Sequence, residues 1–313
     1  MHNPIEQLLL AGRPLVVDGA MSTALEALGC DLNDRLWSAK VLLEAPEKIR
    51  EVHRQYFRSG ANIAITATYQ ASVAGFAERG LTPEASAEVM RLAVALAREA
   101  RSDIARETGR DEAEMLVAGS VGPYGAFLAD GSEYRGDYRV SKETLRAFHR
   151  TRFEALIDSG VDLLAIETQP QAFEIEVLLE MLKETEAAAW VTMTLDSTGT
   201  ALPDGTPLER VAEMLEACPN VVATGFNCVR RELAGPALQK LAAHTAKPLI
   251  VYPNTDKIWD AATKTWRTPT AAHTPGWSHY VPLWQKAGAR LIGGCCCTLP
   301  SDILSIAKLL GTK

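Results

Sequence analysis

The sequence predicts a single-domain α/β protein, a (β/α)8 or TIM barrel that spans residues 1–313. Three observations lead to this prediction. The length of 313 residues is ordinary for such a barrel. Eight short β-rich runs recur along the chain, and most are separated by helix-like stretches. The main alternative is a doubly wound sheet, but no G-x-G-x-x-G pattern follows the first run, where Val17-Asp18-Gly19-Ala20-Met21 stands instead.

The predicted strands are near-continuous runs of Val, Ile, Leu and Ala, which are typical of parallel strands buried on both faces. In chain order they cover residues 14–20, 61–70, 115–123, 161–170, 188–195, 221–228, 248–254 and 289–296. No low-complexity linker separates them, so one domain is expected. The longest connections are expected at residues 124–138 and 255–276, after the third and seventh strands.

The segments between the strands have the apolar period of helices. Helices are predicted over residues 83–107, 173–183 and 208–218. The apolar stripe of the first is assigned to Val89, Leu92, Ala93, Leu96 and Ala100. A glycine that ends a helix is expected just before a strand at Gly60, Gly160 and Gly288.

The composition favours a cytoplasmic protein. A hydrophobic content of 47% supports a large core, and a net charge of −7 argues against a nucleic-acid partner or an anionic membrane surface. No apolar run approaches the ~20 residues of a membrane helix, and no secretory signal is evident. Six cysteines without regular spacing do not indicate a disulfide framework, so a reducing compartment is expected.

Cysteines end two of the predicted strands. Cys228 closes the sixth run, and Cys295-Cys296 close the eighth after Gly293-Gly294. The carboxyl ends of barrel strands meet at one face, where active sites lie. Thiolates favour zinc, and three protein ligands leave a fourth position open for water or substrate. The sequence therefore predicts an open three-sulfur zinc site.

Neighbouring residues on a strand point to opposite faces, so Cys295 and Cys296 can share one metal only where the backbone bends. Gly293-Gly294 is expected to supply that freedom. The alternative is that these cysteines are small apolar core residues, as free cysteines often are. The remaining cysteines, Cys30, Cys218 and Cys297, are expected to be inert.

Other polar side chains also follow strands. They are Asp18, Thr68-Tyr69-Gln70, Glu167-Thr168, Asn227 and Asn254. Strands four, six and eight alternate around a barrel, so Glu167 and the cysteines are expected to project to a common region. The six histidines lie away from the strand ends, so none is assigned to the metal, and no catalytic residue is predicted beyond the metal site.

Taken together, four motifs resemble the homocysteine S-methyltransferase family over essentially the whole chain. They are Asp18-Gly19-Ala20-Met21, Glu167-Thr168, Gly225-Phe226-Asn227-Cys228 and Gly293-Gly294-Cys295-Cys296. The resemblance implies a barrel that binds homocysteine through its sulfur, with one Zn²⁺ per chain held by Cys228, Cys295 and Cys296. It also implies that Glu167 holds the homocysteine ammonium, with Asp18 nearby. Cys297 is a departure, since the family usually has Arg, Gly or Asn there.

The chain is too short to carry separate cobalamin and folate domains beside the barrel, so a self-contained methyl donor is expected. Residues 122–138 resemble the branch of the family that uses S-methylmethionine and differ from the betaine-using branch. Aromatic rings and carboxylates suit a sulfonium cation, and Glu133 and Tyr134 are assigned to substrate binding; Asp130, Phe127 and Tyr138 offer further groups. The alternative is a solvated loop that packs its own aromatic side chains.

Several assignments stay open. Asn227 is assigned to substrate, and Asn254 either contacts substrate or ties down its own loop. Arg35 and Lys40 either meet a substrate carboxylate or are surface charges. S-adenosylmethionine, betaine or another donor, or a selenol acceptor, are alternatives within the same fold. A thiol redox protein with a vicinal disulfide and a purely structural zinc site are alternatives of other classes.

Overall fold

The computed structural model describes residues 2–34, 36–255, 258–260, 265–267 and 275–313. The predicted barrel is confirmed, with all eight strands inside the predicted runs. The barrel strands are β1 (Leu15–Val16), β2 (Ile63–Ile65), β3 (Leu116–Val121), β4 (Leu163–Gln169), β5 (Ala189–Met193), β6 (Val221–Asn227), β7 (Leu249–Tyr252) and β10 (Ala289–Ile292). A separate antiparallel pair, β8 (Ile258–Asp260) and β9 (Thr265–Arg267), lies between β7 and β10 in the chain.

All strand pairs of the eight-stranded sheet are parallel, in the order β1-β10-β7-β6-β5-β4-β3-β2. The two edge strands meet, because Val17 forms a parallel bridge to Ile63 and the Asn62 amide donates to the Val16 carbonyl at 2.7 Å. The sheet therefore curls into a barrel, and all its strands end at one mouth.

Except for the first, which precedes β1, the helices follow the strands around the outside of the barrel. They are α1 (Pro4–Leu9), α2 (Met21–Ala27), α3 (Ser38–Glu44), α4 (Pro46–Arg58), α5 (Val73–Ala77), α6 (Pro83–Thr108), α7 (Tyr124–Leu128), α8 (Lys142–Asp158), α9 (Ala172–Lys183), α10 (Leu208–Glu216), α11 (Arg231–Ala242), α12 (Trp277–Lys286) and α13 (Pro300–Leu309). The three helices predicted by periodicity are confirmed to within two residues. In the part of the chain that the structure describes, no helix combines the length and apolarity needed to span a membrane.

Two predictions about helix α6 and the helix ends have different outcomes. The stripe of α6 is partly wrong, because Leu92 is 37% exposed, whereas Met90, Ala93, Val94 and Ala97 are buried against the core. At a period of 3.6 residues, Leu92 falls on the flank of that face. The helix-ending glycines are confirmed, with φ of 107° at Gly60, 71° at Gly160 and 98° at Gly288.

The barrel interior is a packed core rather than a pore. Side chains of alternate strand residues fill it, including Trp190 and Tyr252, and Ile5 of α1 joins the same cluster. The Trp190 indole donates to the Tyr252 hydroxyl at 3.0 Å. Tyr252 in turn donates to Glu167 at 3.2 Å, so the apolar interior ends in a polar layer at the mouth. The loop expected at residues 255–276 lies mostly outside the described residues.

Candidate active site

Three cysteines meet at the mouth of the barrel. The Sγ atoms of Cys228, Cys295 and Cys296 all lie within 4.8 Å of one another, and those of Cys228 and Cys296 are 3.5 Å apart. A tetrahedral zinc ion with Zn–S bonds of about 2.3 Å places its sulfurs about 3.8 Å apart. The cluster can therefore hold a metal ion, and its donor atoms are of the soft kind that zinc and other thiophilic metals prefer.

A tight turn brings consecutive cysteines to one place. The Thr298 amide donates to the Cys295 carbonyl at 3.1 Å, and Cys297 inside this turn has φ of 63°. The Cys295 amide donates to the Pro253 carbonyl at 2.8 Å, which ties the turn to the end of β7. Cys228 itself follows β6 with φ of 54°. Left-handed conformations of non-glycine residues store strain and cluster at functional sites.

The predicted role of Gly293-Gly294 needs a correction. The bend exists, but neither glycine has a left-handed φ. Instead, the surroundings leave no room for a side chain: a Cβ at Gly293 would lie 2.6 Å from the Val17 carbonyl oxygen, and one at Gly294 would lie 2.5 Å from the Thr298 methyl carbon. Close packing requires these glycines, and Cys297 makes the turn.

The three thiols share hydrogen bonds that polarise them. The pKa of Cys228 is held well below its usual value because Cys295, Cys296, the Tyr134 hydroxyl and Asn254 donate to its sulfur. The pKa values of Cys295 and Cys296 are raised, first because each thiol proton is held in its hydrogen bond to Cys228. The thiolate is the form of cysteine that binds metals, so the lowered pKa of Cys228 favours metal binding at this cluster.

Asn254 organises the cysteine turn. Its side-chain oxygen accepts a hydrogen bond from the Cys296 backbone amide at 3.1 Å. The backbone amide of Asn254 donates to the Val229 carbonyl at 3.0 Å. Of the two roles left open by the sequence, the geometry favours tying down the loop. The other cysteines lie outside the cluster: Cys30 is half-buried, Cys218 is buried, and the Cys297 amide binds the Thr23 hydroxyl.

Two buried carboxylates lie at the same mouth. One oxygen of Asp18 accepts from the Ile65 amide at 2.8 Å, whereas the other is buried without a hydrogen-bond partner among the described residues. Burial raises the pKa of Asp18 well above its usual value, and the neighbouring charge of Glu167 adds to this. Burial raises the pKa of Glu167 to about 7, although Ser120 and Tyr252 donate to it. Such a pair is suited to an incoming cation.

Asn227 is surrounded by protein groups. Its oxygen accepts from the Thr168 amide at 2.7 Å and the Thr192 hydroxyl at 2.8 Å. Its nitrogen donates to the Thr168 hydroxyl at 2.8 Å and to Glu167 at 3.5 Å. The full hydrogen-bonding capacity of the amide is therefore used inside the protein, and it holds Thr168 at φ of 62° beside Glu167.

The segment between β3 and α8 places two of its predicted groups at the cluster. The Tyr134 hydroxyl lies 3.0 Å from the Cys228 sulfur, although 42% of the residue is exposed. One carboxylate oxygen of Glu133 is buried without a partner among the described residues, and burial raises its pKa to about 7. The other side chains proposed for this loop point elsewhere: Asp130 pairs with Arg135, Phe127 packs on Phe148, and Tyr138 binds Glu174.

Tyr69 was named in the sequence only among the polar residues that follow strands, and no role was predicted for it. Its buried hydroxyl forms a hydrogen bond with Thr168, and its pKa is raised by burial and by the charges of Glu133 and Cys228. Trp37 meets the Tyr69 ring edge-on at 6.4 Å. The only signal in the sequence was the position of Tyr69 just after the second strand. Of the two cations weighed as carboxylate partners, Lys40 pairs with Glu44, and Arg35 lies outside the described residues.

The chain is similar to a group of methyltransferases. The profile described as homocysteine S-methyltransferase matches residues 15–310. The homocysteine S-methyltransferase of Escherichia coli strain K12 is 53% identical over 97% of this chain and 98% of its own length. The homocysteine S-methyltransferase YbgG of Bacillus subtilis is 44% identical over 97% of both chains.

A solved structure agrees with these relatives. The crystal structure of the homocysteine methyltransferase MmuM from Escherichia coli in its metallated form superposes with a TM-score of 0.88. It is 50% identical and covers 98% of this chain and 99% of its own. The similarity therefore extends over the whole barrel and includes the segments that carry the cysteines.

Proposed function

Because the chain belongs to the homocysteine S-methyltransferase family, we propose that it is a zinc-dependent enzyme that transfers a methyl group from S-methylmethionine to homocysteine. The methyltransferase class follows from the family itself. The proposal goes beyond the family by naming zinc and the two substrates. The observation that supports it is the cluster of three sulfurs within 4.8 Å beside two buried carboxylates. Residues 1–313 then act as one homocysteine-binding barrel.

Cys228, Cys295 and Cys296 would hold one zinc ion per chain. Zinc supplies a centre that keeps a bound thiol deprotonated. A free thiol has a pKa near 8.5, so removing its proton in advance lowers the barrier by about 2 kcal/mol at neutral pH. Asn254 supports the site by holding the Cys296 amide and donating to Cys228.

Asp18 and Glu167 would bind the ammonium group of homocysteine. One oxygen of Asp18 has no hydrogen-bond partner among the described residues, and burial raises the pKa of both carboxyl groups, so both would be stabilised as anions by a nearby cation. An ammonium between them stabilises both ionised forms, and it fixes the direction from which the thiol reaches the cysteines. Asn227 then positions Glu167 and Thr168 rather than contacting homocysteine.

Glu133, Tyr134 and Tyr69 would face the methyl donor. The sulfonium of S-methylmethionine is a cation, which a carboxylate and aromatic faces stabilise. The homocysteine sulfur forms a bond to the methyl carbon while the bond from that carbon to the sulfonium sulfur breaks. The leaving group is a neutral thioether, so no acid is needed to protonate it. Both products are methionine.

Placement of the two substrates must supply most of the rate enhancement. In-line alignment of donor and acceptor can contribute about 7–11 kcal/mol, compared with about 2 kcal/mol from thiol deprotonation. The proposed partners are small molecules only, with neither nucleic acid nor membrane, and no cobalamin or folate domain is required. A cytoplasmic location would keep the three thiols reduced.

One assay tests this function. Purified protein is incubated with homocysteine and, in turn, S-methylmethionine, S-adenosylmethionine or betaine, with and without a zinc chelator. We expect two methionines per turnover with S-methylmethionine, and loss of activity with the chelator. Turnover only with another donor would keep the family and overturn the donor. Zinc-free protein with redox-dependent thiol counts would support the thiol redox alternative instead.

A further inference from the structure

We propose that Arg152, His149 and Glu174 form a positioning network that fixes the donor side of the pocket without touching either substrate. This inference rests on the proposed function for the meaning of "donor side". The three side chains lie behind the mouth, on helices α8 and α9, and are at most 1% exposed. No step proposed above uses them.

The hydrogen bonds run in one direction through the network. Arg152 lies 2.9 Å from Nδ1 of His149, and Nε2 of His149 lies 2.7 Å from Glu174. A guanidinium can only donate, so Nδ1 must accept and Nε2 must carry the proton that Glu174 receives. His149 is therefore a neutral ring held in one tautomer between a cation and a carboxylate.

One end of the network holds strand ends. Arg152 donates to the carbonyls of Tyr69 at 2.8 Å and Gly122 at 2.7 Å. These carbonyls lie beyond the last hydrogen bonds of β2 and β3, where buried acceptors need a donor. Through the Tyr69 carbonyl, the guanidinium sets the position of a residue that the proposed function places on the donor side.

Glu174, at the other end of the network, binds the first and the last residues of the loop that carries Glu133 and Tyr134. Glu174 accepts from the Tyr124 amide at 2.7 Å, at the start of that loop, and from the Tyr138 hydroxyl at its close. The loop is thus anchored twice to one buried carboxylate. Between the anchors, Glu133 and Tyr134 face Cys228.

The free-energy cost of burying these charges indicates that the network is retained for positioning rather than for stability. A buried cation and carboxylate lose their hydration, and apolar side chains of similar volume would often be at least as stable. Such a network instead fixes one arrangement of the groups that it bonds. Loss of a supporting partner typically costs about 10–100-fold in activity, because reacting groups tolerate little displacement.

The test replaces His149 in two ways. His149→Phe removes both hydrogen bonds, whereas His149→Gln keeps one acceptor for Arg152 and one donor for Glu174. We expect His149→Phe to lower kcat/KM for S-methylmethionine about 10–100-fold, with zinc content and the Kd for homocysteine within twofold of wild type. His149→Gln should recover most of that loss. His53→Phe is the matched control, since His53 is equally buried on α4 and outside this network.

Hydrogen exchange separates this inference from the proposed function. In His149→Phe, peptides over residues 122–138 should exchange faster, whereas peptides over residues 221–230 should not change. This readout stands even if the wild type uses another donor. Should His149→Phe fail to fold, Tyr138→Phe removes a single anchor and is expected to give a smaller effect of the same pattern. Unchanged donor kinetics and loop exchange in the variant that folds, or equal losses for both substrates, would overturn the network.

Discussion

The two sides of the barrel mouth are built differently. The side proposed for the methyl acceptor consists of strand ends and a tight turn, where Asn227 and Asn254 are bonded to protein groups and hold Glu167 and Cys296. The side proposed for the methyl donor consists of the loop between β3 and α8, where Tyr134 is 42% exposed and one oxygen of Glu133 has no partner among the described residues. Strand ends hold the groups proposed for the acceptor, and a loop carries the groups proposed for the donor.

This difference suggests that the two sides have different requirements for precise positioning. Sites on strands are positioned more precisely than sites on loops, whereas loops tolerate change. The proposed acceptor chemistry requires a fixed relation between three sulfurs and two carboxylates. The donor side has to accommodate only a cation of suitable size. We therefore expect substitutions on the acceptor side to abolish activity and substitutions on the donor side to change donor preference.

The largest effect is expected at the metal cluster. Cys228→Ala should reduce zinc from about one per chain to near zero and lower methyl transfer by on the order of 10³-fold, because thiol deprotonation and acceptor placement are both lost. Metal analysis and the methionine assay measure this. Cys30→Ala, outside the cluster, should keep both values. A folded Cys228→Ala protein with full zinc content would contradict the assignment.

Glu167 should be next in size. Glu167→Gln is expected to lower kcat/KM for homocysteine about 100-fold, because a buried charge pair with the ammonium is broken. Steady-state kinetics with each substrate varied in turn would check this, and zinc content should not change. An equal loss for both substrates would place Glu167 outside the acceptor side.

The pH profile gives the same carboxylate a second test. Only its ionised form pairs with an ammonium, and its pKa is about 7, so kcat/KM for homocysteine should fall as pH decreases below 7. Glu133 has a pKa of about 7 as well, and its protonation should lower kcat/KM for the donor. The profile of Glu133→Gln should keep the homocysteine limb and lose the donor limb.

A smaller effect is expected on the donor side. Glu133→Gln should raise KM for S-methylmethionine roughly tenfold, since a partly buried carboxylate contributes about 1–2 kcal/mol to binding a cation. The same kinetics are measured with betaine as a second donor for comparison with S-methylmethionine, because the cation of betaine lies close to its own carboxylate. If the variant binds homocysteine more weakly and the donor unchanged, the two sides have been assigned the wrong way round.

The last prediction concerns stability rather than activity. A carboxyl whose folded pKa is raised binds its proton more tightly in the folded state, so stability falls as pH rises from about 4.5 to about 7. Without substrate, Glu167→Gln should therefore be more stable than wild type at pH 8, by up to about 3 kcal/mol, and similar to it below pH 4.5. Thermal melts at the two pH values measure this difference.

The fold was predictable from the sequence because buried parallel strands leave continuous apolar runs, and all eight were placed. The cysteine cluster was predictable because strand ends converge in a barrel. The turn at Cys297 was not, because its left-handed φ has no marker in the residue type. The internal role of Asn227 and the Glu174 anchors depend on contacts between distant segments, which periodicity and motifs do not reveal.

The central claim is that three sulfurs hold one zinc ion and leave a position for the thiol of homocysteine. X-ray absorption at the zinc edge tests it directly on the purified protein. We predict three sulfur neighbours at about 2.3 Å without substrate and four when homocysteine is added, with no change when S-methylmethionine is added alone. Four protein ligands that do not respond to homocysteine would contradict the account.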